Sequence, residues 1–220
     1  MRLLSLFASV ALVAVACGGD ADTEPAAAAV PSEAVARWFE AVDAGDVRAL
    51  DAVVIDGSLA FVLALENRFE VAQTAALVDD GVPDDVAATY WESFANGFSE
   101  FSGRPVGTLT VGDYREFESE GETFAAVSVR GTTDRGAIVF TRKLEDGTWA
   151  VDLVATLSPG FVGLLRRNLE ELPQGEDADR VRLAYRTVIA PSIWAALSAG
   201  EFDDAFARDA LNLLEAIDAA

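Results

Sequence analysis

"LEDGTWAVDLVATLSP", residues 144–159, decides the fold. Glu145, Asp146 and Gly147 carry the chemistry of a tight hairpin turn. Beyond the turn, Trp149, Val151 and Leu153 alternate with Ala150, Asp152 and Val154, the period of two that marks a strand. The pattern predicts a strand over 148–157, after which Ser158-Pro159 opens a helix, proline being favoured at a first helical position. Both alternating sets are largely apolar. The sheet is therefore expected to be covered on both sides, by helices on one and by a partner or the C-terminal segment on the other.

Three more alternating segments lie upstream: "TLTVGDYREFES" (108–119), "TFAAVSVRG" (123–131) and "GAIVFTRKLE" (136–145). Short polar turns join them, which predicts a four-stranded antiparallel sheet. Before residue 103 the period is helical. Ser32 is read as the cap of a helix carrying Val35, Trp38, Phe39 and Val42; Gly45 ends it and Asp46 caps the next. Residues 58–78 read as one helix, "DDGVPDD" (79–85) as a break, and residues 84–100 as a helix with Tyr90 and Phe94 on its apolar side. After Pro159 come a helix with Leu165 and Leu169, a loop at 173–179, a helix that Pro191 should kink or end, and a last helix over 202–217. The segments at 38–50 and 194–206 echo each other as tryptophan, helix, glycine and acid, which a generic turn between helices explains.

The 220 residues carry 16 basic and 37 acidic side chains, a net charge of -21, and 51% hydrophobic residues. That is ample for a core. The acidity and the absence of a clustered basic patch exclude nucleic acid as a partner. Histidine is absent, which removes Ser-His-Asp and Cys-His catalysis and His-based zinc sites. One cysteine, Cys17, allows no internal disulfide.

Arg2 precedes an apolar run over 3–16 that is too short to span a bilayer and has the order of a secretory signal. "AVAC", residues 14–17, resembles the lipobox of bacterial lipoproteins, with Ala14 where that motif usually has leucine. The resemblance implies a signal peptide at 1–16, lipidation of Cys17, and a flexible acidic tether over 17–31. The expected location is the extracytoplasmic face of the cell membrane, the lipid on Cys17 being the anchor. The alternative is plain cleavage after Ala16 and secretion.

"WFEAVDAGDVRALDAVV" (38–54) and "LEDGTWAVDLV" (144–154) resemble the nuclear transport factor 2-like superfamily, whose members often open on a helix, an Ala/Gly-Asp turn and a second helix, and close on a strand reading Asp-Gly-x-Trp. The resemblance covers 32–157. It implies an α+β fold with N-terminal helices packed on a curved, cone-like four-stranded antiparallel sheet, here followed by an α-helical extension over 158–220. The superfamily contains isomerases, dehydratases and hydrolases as well as binding and dimerisation modules, so the fold does not choose a function.

No catalytic constellation is expected. Asp152, set among Val151, Leu153 and Val154, is either a polar group facing the cone or an outward acid paired with an arginine. Asp113, Tyr114 and Arg115 form a polar triplet explained by a strand edge or bulge. Arg130 and Arg142 are read as partners of acids. Trp38, Tyr90 and Trp91 either line a pocket or fill the core. Asp79-Asp80, Asp84-Asp85 and Asp203-Asp204 suit helix ends better than a calcium loop. The candidate ligand-binding residues are thus Trp38, Tyr90, Tyr114 and Asp152, with no metal and no cofactor. The expected function is a membrane-anchored lipoprotein that binds a small apolar ligand or an envelope protein, without catalysis. The alternatives are an isomerase, dehydratase or hydrolase using a buried carboxylate with Tyr or Arg, and a structural module forming a homodimer through its sheet.

Overall fold

The computed structural model describes residues 28–131 and 136–220. Cys17, the expected signal peptide and most of the expected tether lie outside the described residues. The end of that stretch belongs to the fold: Ala28 is buried and accepts a hydrogen bond from Trp149 N at 2.9 Å. Helix α1 (Pro31–Ala44) then starts at Pro31, with Val30 rather than Ser32 at its cap position.

The helices before the sheet follow the apolar spacing. Helix α1 buries Val35, Trp38, Phe39 and Val42 and ends on Gly45, whose left-handed conformation satisfies the last carbonyls. Asp46 caps α2 (Val47–Asp51), its side chain accepting from Ala49 N. The single helix expected over 58–78 is two, α3 (Ser58–Asn67) and α4 (Val71–Asp80). Arg68 takes a left-handed backbone, and Glu70 and Gln73 then bond each other's backbone N–H groups in a capping box that restarts the helix. Leu59 and Leu63 of α3 face one core and Phe61 faces another, so this helix is apolar all round. Helix α5 (Asp84–Ser102) follows.

The sheet is an antiparallel meander, in the order β1-β2-β3-β4: β1 (Thr110–Ser119), β2 (Glu122–Arg130), β3 (Ala137–Lys143) and β4 (Trp149–Val151). Ser119 pairs with Glu122 across Glu120 and Gly121, both at positive φ as a two-residue hairpin turn requires. A bulge interrupts β1 between Val111 and Tyr114, where a Cβ on Gly112 would run into Ser128 Oγ. Val53–Ile55 and Ala28 bond along the outer side of β4. The chain is α+β with a four-stranded antiparallel sheet, as expected.

Strand β4 is shorter than its sequence suggests. It stops at Val151, because Asp152 caps a helix, α6 (Leu153–Glu170), by accepting from Ala155 N at 2.9 Å. The helix expected to open at Ser158-Pro159 is already under way there, and it runs through the expected 157/158 boundary. Pro159 deprives the carbonyl of Ala155 of its helical donor, and Ser158 Oγ donates to that carbonyl instead, at 2.8 Å. Pro191 does not end its helix either. Helix α7 (Glu176–Ala184) passes through one wide turn, Tyr185–Ile189, with the i to i+5 pattern, into α8 (Ala190–Ala199), which places Pro191 in the first turn of α8. Helix α9 (Asp204–Ala219) is capped by Asp203.

Two cores result. On one face of the sheet, Val127, Val129, Val139 and Val151 pack with α1, α2, α3 and α5. The second core lies among α6, α7, α8 and α9 and reaches Phe61 of α3 and Ala75 of α4. The sheet's other face, with Phe117, Ala126 and Phe140, is covered by Ala155, Ala199 and Phe202. The C-terminal segment is therefore what covers the second side. Among the described residues, no helix is long and apolar enough to cross a membrane.

Candidate functional site

Asp152 is 0% exposed, so the expectation that it faces outward is corrected: its side of the sheet lies beneath α8. Arg142 on β3 donates from Nη2 to Asp152 Oδ2 and to Ser192 Oγ, both at 2.9 Å. Ser192 Oγ lies 2.8 Å from Asp152 Oδ2 and 2.9 Å from the carbonyl of Val188, so its one proton serves either acceptor. Arg142 Nη1 reaches Glu122 at 3.2 Å, and the guanidinium lies over the Phe124 ring, 5.1 Å from its centroid. Sheet, α6 and α8 thus meet at one buried charge pair. One Asp152 oxygen caps a helix and the other is shared by Arg142 and Ser192, which makes this carboxylate a clamp of the frame. That Arg142 partners acids accords with the reading of its sequence; the role of Ser192, hidden behind Pro191, was not readable.

Trp38 and Tyr90 meet in an aromatic cluster with Trp91 and Phe94. The Trp38 and Trp91 rings are 6.3 Å apart at 75°, and those of Tyr90 and Trp91 are 4.9 Å apart at 76°. These rings fill the α1 side of the sheet. Burial, with a smaller contribution from the charge of Glu66, drives the Tyr90 phenol far up; burial also raises the Glu66 carboxyl. Tyr114, on edge strand β1, is exposed. Its neighbour Arg115 donates to the carbonyl of Ala199 at 2.8 Å and pairs with Glu201, a cation placed at the C-terminus of α8. The four candidate residues thus occupy three places: Trp38 with Tyr90 in the core, Asp152 beneath α8, and Tyr114 at the surface.

Several concave features of ligand size lie elsewhere, among them clefts of about 440 and 480 Å³. A cleft of about 490 Å³ opens between the loop joining α2 to α3 and the end of α4. Leu50, Leu59, Val82 and Trp91 contribute apolar lining, and Asp51, Asp56, Asp79 and Asp80 supply carboxylates. Arg180 neutralises Asp79 at 3.1 Å. Asp51 is raised above its ordinary range by partial burial first, then by the charges of Asp84 and Asp56. The acids do not converge as metal ligands: among the described residues, no group of three could hold a metal ion. In the sequence Asp79 and Asp80 read as a helix end. Only the contact of α3 with α4 folds the acids onto one rim.

Comparison of the chain with models of known families, with characterised proteins and with solved structures finds no match in any of the three.

Proposed function

We propose that this chain is a lipoprotein held on the extracytoplasmic face of the cell membrane through Cys17, and that its folded part is a binding module without a reaction of its own. The nuclear transport factor 2-like reading of 32–157, with the sheet as the wall of a cone, belongs to this proposal, as does the helical extension over 158–220. The observation that carries it is the use of Asp152: the carboxylate best suited to chemistry is consumed in capping α6 and holding Arg142 and Ser192. The aromatic packing of Trp38, Tyr90, Trp91 and Phe94 supports a filled interior, so a ligand would sit in a surface cleft such as the one beside α4. One pair favours the enzymatic alternative, an isomerase, dehydratase or hydrolase: the Glu66 carboxyl raised by burial, within electrostatic reach of Tyr90. Among the described residues β1 is an edge strand, and its outer edge is where a homodimer through the sheet would form.

With Cys17 lipidated, the stretch from there to Ala28 could span at most roughly 40 Å, which holds the folded part near the bilayer. Mass spectrometry of protein extracted from its own membrane tests the proposal. A denatured mass heavier than the 17–220 chain by a lipid adduct is expected. The unmodified mass would refute the anchor, and turnover of a small-molecule substrate that Glu66→Gln abolishes would refute the non-catalytic reading.

A further inference from the structure

We propose that α4 and α7 form a flap that opens as one unit on the body of the protein, swinging at Arg68 and Tyr185 and baring Phe61 and Leu65 of α3. Three observations carry it. The first is thin burial. Of the 10 residues of α4 only Thr74 and Ala75 are buried, and α7 buries Ala178, Val181 and Ala184. Helix α9, by contrast, buries Phe206, Leu213, Leu214 and Ile217. Small side chains withdraw little apolar surface from water, so α4 and α7 are lightly fastened and local opening is easiest there.

The second is how the two helices are seated. Helix α4 packs chiefly on α3 and α7, and α7 chiefly on α4 and on the wide turn that follows it. Ala75, Val181 and Ala184 share one apolar cluster, and Arg180 of α7 reaches Asp79 of α4 at 3.1 Å. The two helices therefore hold each other, and their main seat on the body is the flank of α3 that carries Phe61 and Leu65.

The third is the state of the links. Arg68 has a left-handed backbone, φ 53°, which a residue other than glycine holds at a cost. Gly81, at the other end of α4, has φ 83° and ψ 171°, a conformation open to glycine. Tyr185 begins the wide turn, and Pro191, having no N–H, leaves one carbonyl of that turn without a ladder donor. The Tyr185 hydroxyl donates to the carbonyl of Leu165 at 2.9 Å, so the turn stays with α6 while α7 swings from Tyr185. Opening is a minor excursion of the native state and leaves global unfolding a single transition. It needs no ligand.

Native-state hydrogen exchange, read amide by amide by NMR, tests the flap. Amides inside α4 and α7 should share one opening equilibrium and exchange about 100-fold faster than those of α1, β2 and α9. Two variants separate flap opening from global unfolding. Val127→Ala, in the core between the sheet and α1, weakens only the body. It should speed exchange in α1 and β2 and leave α4 and α7 unchanged. Ala75→Gly weakens the closed flap and should speed α4 and α7 alike, by about fivefold. Exchange in α4 and α7 as slow as in α1 would overturn the proposal, and so would their acceleration by Val127→Ala. An Ala75→Gly effect present in α4 and absent from α7 would overturn the pairing of the two helices.

Discussion

At Arg142 the stability of the protein depends on a single charge. Its guanidinium is the cationic partner of the fully buried Asp152, so Arg142→Ala strands a carboxylate beneath α8. That change should cost about 3–5 kcal/mol in urea unfolding. Asp152→Asn, which keeps an acceptor for Ala155 N, should cost less; equal losses for the two variants would mean that the pair contributes through packing alone. Asp51 behaves in the opposite sense. Its carboxyl is raised in the folded state, so the native protein holds that proton more tightly than the unfolded chain does. Its contribution to stability is greatest in acid and is lost as pH rises through the raised value. Asp51→Asn should therefore stabilise the protein slightly at neutral pH, by no more than about 0.5 kcal/mol for a partly exposed group. The gain should fade as pH falls below about 4. A gain independent of pH would assign the effect to something other than charge.

Among the elements, α6 shows where sequence patterns mislead. Trp149 to Val154 alternates like a strand, yet Leu153, Val154, Leu157 and Phe161 also fit one face of a helix, and Asp152 is a good cap. The alternation won on paper because Ser158-Pro159 offers a familiar helix start. In the molecule the cap at Asp152 prevails, since Arg142 and Ser192 fix that carboxylate in place. The α3–α4 break was hidden for a similar reason: Arg68 carries no signal for a left-handed backbone. Glycine turns, by contrast, were legible at Gly45 and Gly147, because there the residue type itself carries the conformation. The site was less readable than the fold, since Asp51, Asp56 and Asp80 are brought together only by the packing of helices. The proline in α6 gives a test at this scale. Ser158→Ala leaves the carbonyl of Ala155 without its donor and should cost about 1–3 kcal/mol. Adding Pro159→Ala restores a backbone N–H and should recover most of that loss. Simple additivity of the two changes would show that Ser158 does not act through that carbonyl.

Over the whole molecule, α3 ties the two cores together, because Leu63 faces one and Phe61 the other. The protein should unfold in one transition: urea curves followed by tryptophan fluorescence and by helical circular dichroism should coincide. Separated midpoints would divide it into independently stable halves. Removing residues 172–220 takes Ser192 from the clamp and bares Phe140, and the truncated chain is expected to aggregate. The pairing of Ala28 with Trp149 has a mechanical consequence. Were the chain anchored at Cys17 as proposed, a pull reaching the described fold would enter it at Ala28, on the β4 side of the sheet, where one backbone hydrogen bond joins Ala28 to Trp149. Tension would peel that contact before it reached α1, like a perforation that tears ahead of the page. The β1 edge, at the far side of the meander, would stay unloaded.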